Sequence, residues 1–166
     1  MKKRIEEGNT IMILETIQSE KVYNTLCNKG IVWPRKRELK YKKSHIKKAY
    51  KRIAKYARKV TKKIYKTYPF WCSCTDIGIN NAGKNQIKLI LNVPDDFVLL
   101  SNYDKWVEYL DYSKDNSSNQ FWKSYVSELF EVKSCKRIQA VIPYIKKEWI
   151  FNKLTDSVRP PMLGEG

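Results

Sequence analysis

Arg35 to Lys66 reads RKRELKYKKSHIKKAYKRIAKYARKVTKKIYK. It holds sixteen Lys or Arg and one acid, Glu38, a surplus of +15 in a chain whose formal net charge is +16. The rest of the chain is therefore close to balanced. Ile46, Ala49, Tyr50, Ile53, Ala57, Val60 and Ile64 recur at steps of three and four, the one-face spacing of an α-helix. Ser44 is the expected N-cap, and Pro69 bars continuation past Tyr68. A helix from Ser44 to Thr67 is expected, roughly 36 Å long at ~1.5 Å per residue. One stripe of it must pack on a core, so the chain is expected to fold around it.

The other faces of this helix present Lys47, Lys48, Lys51, Arg52, Lys55, Arg58, Lys59, Lys62, Lys63 and Lys66, with Arg35 and Arg37 just ahead of it. A solvated helix face normally mixes signs, and this one does not. Like charges at i,i+4 cost about 0.2–0.5 kcal/mol per pair in an isolated helix. Phosphates laid along the face would remove that cost and release counterions. A field this localised points to an anionic partner. These twelve cations are the candidate nucleic-acid-binding residues. Tyr41, Tyr50, Tyr56, Tyr65 and Tyr68 interleave with them and suit stacking on unpaired bases. Tyr50 and Tyr65 are the ones expected to anchor the helix to the core instead.

Composition bounds the rest. The 166 residues, 42% of them apolar and 13% aromatic, fit one globular domain. No run approaches the ~20 apolar residues of a membrane span, so a membrane partner is not expected. The start, MKKRIEEGNT, lacks an apolar core and does not read as a secretory signal. A cytoplasmic setting, in a bacterial host, follows as an expectation. Cys27, Cys72, Cys74 and Cys135 are then expected to be reduced.

Outward from the basic stretch, Ile11 to Ile17 reads as a first strand and Ser19 to Lys29 as a helix closed by Gly30. Ile31 to Trp33 is a short extended piece. Phe70 to Thr75 alternates as a strand, and Gln86 to Val93 is a second; the Gly/Asn-rich link between them suggests a hairpin. Pro94-Asp95-Asp96 is a turn, and Phe97 to Leu100 a short strand. Ser101 looks like an N-cap with Asp104 in capping-box position. The helix it starts is expected to be lined by Tyr103, Trp106, Val107 and Leu110. A polar loop, Lys114 to Asn119, leads to a helix over Phe121 to Val132. Arg137 to Ile145 is a strand whose Pro143 argues for an edge or a bulge. Glu148 to Leu154 is expected as a last short helix, and residues 157–166 as a flexible tail. The order gives a single α+β domain over residues 12–156: a mostly antiparallel central sheet, one long basic amphipathic helix and three or four shorter ones.

Little of this reads as an active site. Cys72 and Cys74 are spaced C-x-C, but Cys27 and Cys135 are single and distant, so no zinc set is formed. His45 is the only histidine and sits among cations. Asp95 and Asp96 are adjacent carboxylates in a turn, without the second acid and lysine a metal-dependent nuclease would need. No phosphate-binding glycine loop is present. No metal is expected, and no cofactor under the main reading.

TIQSEKVYNTLCNKGIV (Thr16 to Val32), LNVPDDFVLLSNYDKWVEYL (Leu91 to Leu110) and RIQAVIPYIKKEWI (Arg137 to Ile150) are three blocks that together resemble an uncharacterised bacterial and phage family, domain of unknown function 3841. YPFWCSC and FWKSYVSELFEV also sit where that family has corresponding blocks. The likeness implies that residues 1–11 are an N-terminal extension. The chain departs from the pattern in its basic middle helix, in WCSC, and in Val107, where the family often has a His. A looser architectural likeness is to ADP-ribosyltransferase-like folds. By that likeness Thr16 or Gln18 and Gln139 would occupy the catalytic positions, and NAD would be the cofactor. None of these is the Arg, His or Glu that class uses, so the likeness implies an altered site.

The expected function is non-catalytic binding of nucleic acid or of a nucleoprotein complex through the basic face. A phage or mobile-element inhibitor of a host nucleoprotein, such as a CRISPR effector, is one setting that fits. The alternatives are the altered NAD-dependent transferase, with Gln18 and Gln139 as its candidate residues, and an assembly protein docking on an acidic partner.

Overall fold

The computed structural model describes residues 3–6, 8–35, 43–74 and 82–154. Its centre is one antiparallel sheet. The strands are β1 (Lys3–Glu6), β2 (Asn9–Ser19), β4 (Phe70–Ser73), β5 (Gln86–Pro94), β6 (Leu99–Asn102), β7 (Ile138–Ile142) and β9 (Ile150–Leu154). Their order is β6-β7-β4-β2-β5-β9, with β1 also paired to β2. A second, two-stranded sheet joins β3 (Ile31–Val32) to β8 (Ile145–Lys146). Among the described residues four α-helices join the sheets: α1 (Glu20–Lys29), α2 (Ser44–Thr61), α3 (Tyr103–Tyr112) and α4 (Asn119–Leu129). This is the α+β domain the sequence implies.

The register sorts the side chains into two faces. Leu14 lies opposite Leu91, and Cys72 and Leu100 both lie opposite Ala140. These residues share a first face with Met12, Leu89, Val93 and Ile142, packed against Val22 and Leu26 of α1 and against Ile145 and Trp149. Trp71 and Leu99 both lie opposite Val141 and belong to the second face. There α2 supplies Ala49, Ile53 and Ala57, α3 supplies Trp106 and Tyr109, and α4 supplies Trp122 and Leu129. The sheet is thus covered on both faces where β7 runs. All five residues of β7, IQAVI, are buried, and a strand buried on both faces loses its period of two. Over β2 and β5 the second face is less covered. Ile13, Ile17 and Ile90 are half-buried there, beside an ion pair between Glu15 and Lys88 at 3.0 Å.

Local chemistry sets several boundaries. Ser19 accepts from Val22 N at 3.2 Å and caps α1, and Gly30, at φ 76°, closes it with its N–H on Leu26 O. A left-handed residue at that position favours glycine.

Other boundaries differ from the sequence reading. α2 starts after Lys43, with no side-chain cap from Ser44, and ends at Thr61 rather than Thr67. Lys62 takes a left-handed conformation, φ 60°. Ile64 and Val60, which continue the helical spacing, are 74% and 52% exposed. Tyr65 decides the matter. It is buried, and its hydroxyl reaches the carbonyls of Phe97 (3.1 Å) and Val141 (3.2 Å). Pulling that ring onto the sheet is incompatible with another helical turn. Burial pushes the Tyr65 phenol well above its ordinary pKa, so the hydroxyl stays a donor at any working pH. Tyr65→Phe is expected to cost about 1–2 kcal/mol, because it leaves buried carbonyls without their donor. A urea melt checks this.

The expected hairpin between β4 and β5 is absent, because β2 inserts between them. β6 begins two residues later than expected, at Leu99, so Ser101 is a buried strand residue and Asn102 caps α3 through Lys105 N. Val107 faces outward at 46% exposure, and Tyr109 takes the core position instead. β7 is an interior strand, not an edge: Pro143 follows its last residue and simply ends it. The expected last helix is only a 3-10 turn, Lys147–Trp149, followed by the edge strand β9. Ile150 and Phe151 are strand formers, and β5 offers them a free edge.

Candidate nucleic-acid interface

The side of α2 that meets the sheet is narrow and made of small residues. Ala49, Ile53, Ala54 and Ala57 are buried, which lets the helix lie close. At about 100° per residue, Lys47, Lys51, Lys55 and Lys59 then fall on one gently turning ridge opposite Ile53. Lys48 and Arg58 flank it. α2 contains no acid. The cations therefore share one side and do not splay.

The structure divides the candidate residues into two groups. Some are committed to the fold. Arg52 donates to Tyr109 Oη at 3.1 Å and to Ser117 O at 2.7 Å. Lys48 reaches Ser117 Oγ at 3.5 Å, and Arg58 donates to Tyr65 O at 2.9 Å. Lys63 pairs with Asp96 at 2.8 Å and lies over the Phe97 ring. Lys66 lies 4.5 Å over Trp33. The others, Lys47, Lys51, Lys55, Lys59 and Lys62, make no side-chain hydrogen bond, ion pair or ring contact among the described residues. Arg35 is half-buried ahead of the helix. Arg37 and Tyr41 lie outside the described residues, as does most of the link from Asp76 to Asn85.

The tyrosines are engaged inward. Tyr65 and Tyr68 are buried. Tyr56 stacks on Phe130 at 4.2 Å, and Tyr50 packs on Trp71 and Trp106. Tyr50 and Tyr65 are the anchors expected of them, Tyr50 within α2 and Tyr65 just past its end. The ridge thus offers charge with little aromatic surface.

His45 opens a groove of about 440 Å³ between the first turn of α2 and α3, with Asp104, Glu108 and Asp111 on its α3 side. Each carboxylate already has a cation: Arg137, Lys105 and Lys114 respectively. The Lys114 ammonium holds the Asp111 carboxyl below its ordinary pKa. Among the described residues no three metal-ligating side chains cluster. Cys72 and Cys74 point into the first-face core, where burial pushes both thiols up, that of Cys74 to about 12.

Gln18 and Gln139 are not brought together. Gln18 donates to Thr16 Oγ1 at 2.8 Å, and Thr16 donates to Trp71 O at 2.7 Å. Thr16 and Gln18 belong to the face of Leu14. Gln139 lies opposite Ser73, which lies opposite Glu15, so it points to the other face. The sheet itself separates the two.

A feature the sequence does not signal surrounds Gln139. Among the described residues, four buried side-chain atoms have no hydrogen-bond partner: Trp71 Nε1, Asn92 Oδ1, Ser101 Oγ and Gln139 Nε2. All four residues lie on the second face, since Asn92 is opposite Ile13 and Ser101 opposite Gln139. Strand alternation in FWCS, LLSN and IQAVI gives each residue's parity. Only the pairing register puts Trp71, Ser101 and Gln139 side by side; Asn92, opposite Ile13, lies apart from them.

No curated protein and no solved structure matches the chain, so the likeness to ADP-ribosyltransferase-like folds finds no support there. The family model for domain of unknown function DUF3841 matches residues 13–148, which takes in most of the central strand β2, the four described helices and both halves of the small sheet, and the chain belongs to that family.

Proposed function

We propose that the chain binds nucleic acid, or the nucleic-acid part of a nucleoprotein complex, without catalysis and along the α2 ridge. One observation carries this reading: four lysines a turn apart on one side of one helix, with Lys62 beyond them, unneutralised by any described acid. Lys47 to Lys59 spans roughly 18 Å. Duplex DNA presents about one negative charge per 1.7 Å of axis, so such a ridge can meet several phosphates at once. Contacts of this kind position a strand and carry no sequence information. Use of the ridge against a host nucleoprotein, as an inhibitor of phage or mobile-element origin, is the finer form of the same reading.

The test is binding to single- and double-stranded DNA and RNA across a salt titration. Five phosphate contacts on duplex DNA give a slope of log K against log salt of about −4.5, a loss of roughly 500-fold between 50 and 200 mM. A flat salt dependence, or binding only to an acidic protein that survives nuclease treatment, overturns the reading.

A further inference from the structure

We propose that the second face of the sheet carries a ligand site for a nucleobase, built on the cross-strand row Ser101, Gln139, Ser73 and Glu15. The row is continuous across four strands. Ser101 lies opposite Gln139, Gln139 opposite Ser73, and Ser73 opposite Glu15. Directly opposed residues hold their Cβ atoms about 4.5–5.5 Å apart, and diagonal neighbours remain in reach of long side chains. Trp71, two residues before Ser73 on the same strand, is such a diagonal neighbour of Gln139. Three of the four polar side chains are buried in one line, with Glu15 at its open end. Ser101 is 0% exposed, Ser73 5% and Gln139 8%.

The unpartnered atoms give the chemistry. Trp71 Nε1 and Gln139 Nε2 are donors only, and Ser101 Oγ donates or accepts. A buried donor without an acceptor is destabilising, so a side chain chosen for packing alone would not be Gln at position 139. Donors ask for an acceptor-rich ligand. The row contains no cation, and Lys88 beside it is held by Glu15 at 3.0 Å. The Glu15 carboxylate, whose side chain is 35% exposed at the open end of the row, would repel an anion and accept from an N–H. Phosphate and carboxylate ligands are disfavoured on both counts. The walls are aromatic: Trp71 sits 4.9 Å from Trp106 and 5.4 Å from Tyr50. These rings are tilted, at 38° and 51°, and a flat ring can pack against the indole of Trp71. A neutral flat ring with carbonyl or ring-nitrogen acceptors and an N–H at its edge is a nucleobase. It would arrive either as a free nucleoside or splayed from a strand. Neither the row nor its walls use the lysines of the ridge.

The test uses the full chain with nitrogen-15 in its indoles. The Trp71 N–H resonance is assigned with Trp71→Phe, and adenosine, guanosine, cytidine and uridine are titrated to millimolar concentration. At least one should move the Trp71 resonance, and Gln139→Leu should abolish the shift. Gln139→Leu and Ser101→Ala should also melt at or above the wild-type temperature without ligand, because each removes an unpaired buried group. A nucleoside shift that persists after charge reversal of the ridge separates this site from α2. An oligonucleotide shift lost in that same variant identifies a strand as the source. If no nucleoside and no oligonucleotide moves the Trp71 resonance, the proposal is overturned whatever the melting temperatures. If the shift occurs but is unchanged in Gln139→Leu, the row is not the site and the proposal fails equally.

Discussion

Tyr109→Ala is expected to destabilise the fold by about 3–5 kcal/mol, the range for removing a large buried aromatic. Tyr109 has no exposed surface and is the hub of the helical layer. Its ring lies within 6 Å of those of Trp106, Phe121, Trp122 and Tyr125, and its hydroxyl accepts from Arg52. One side chain therefore ties α3 to α4 and both to α2. Native domains hold only about 5–15 kcal/mol in total, so this loss should be plain in a urea melt. Tyr109→Phe keeps the ring and removes the hydroxyl. It should cost about 1 kcal/mol, the net worth of a typical hydrogen bond. A Tyr109→Ala variant with near-wild-type stability would show that α2 is held to the sheet by its alanines and not through this hub.

The second large effect is on binding. Replacing Lys47, Lys51, Lys55 and Lys59 with Glu should lower the salt slope on duplex DNA by about 3.6 and weaken affinity at physiological salt by at least about a hundredfold. The fold should survive it. These four side chains make no described contact, and the new carboxylates would sit three residues from Lys48, Arg52, Arg58 and Lys62. Pairs at that spacing stabilise a helix by about 0.2–0.5 kcal/mol each. The variant should therefore melt no lower than the wild type. Loss of binding together with loss of structure would fault the design of the ridge. Retained binding with retained structure would remove α2 from the interface.

How much of this was legible beforehand depends on where the information lay. Ser19 and Gly30 bracket α1 by local chemistry, and the local reading holds. The alternating runs of β2 and β5 hold as well. The end of α2 does not, because Val60 and Ile64 continue its period while Tyr65 is claimed by distant carbonyls. β9 was read as a helix because its strand character depends on an open edge of β5 that no neighbouring residue announces. Phe70–Ser73 and Gln86–Pro94 looked like hairpin partners because they are close in sequence, yet β2 takes the place between them. For the interface, the charge and its one-sidedness could be read directly. The commitment of Lys48, Arg52, Lys63 and Lys66 to the fold could not, since their partners are distant in sequence, nor could that of Arg58, whose acceptor Tyr65 O exists only because α2 ends early. The polar row was invisible for the same reason: alternation tells which way a side chain points, and register alone tells what stands beside it.

The central position of β2 has a consequence for how the chain reaches this state. Leu14 meets Leu91, and Trp71 meets Val141, partners 77 and 70 residues apart. Topologies dominated by such distant pairings fold slowly, since loops must close before contacts reward them. During synthesis the start of β2 can pair with β1, but Ile13 to Ile17 waits, apolar, for strands that have not yet been made. That segment is thus exposed to mispairing until β4 and β5 emerge. The helices α1 and α2, made before β4 and every later strand of the main sheet, can nucleate long before the sheet beneath them is complete.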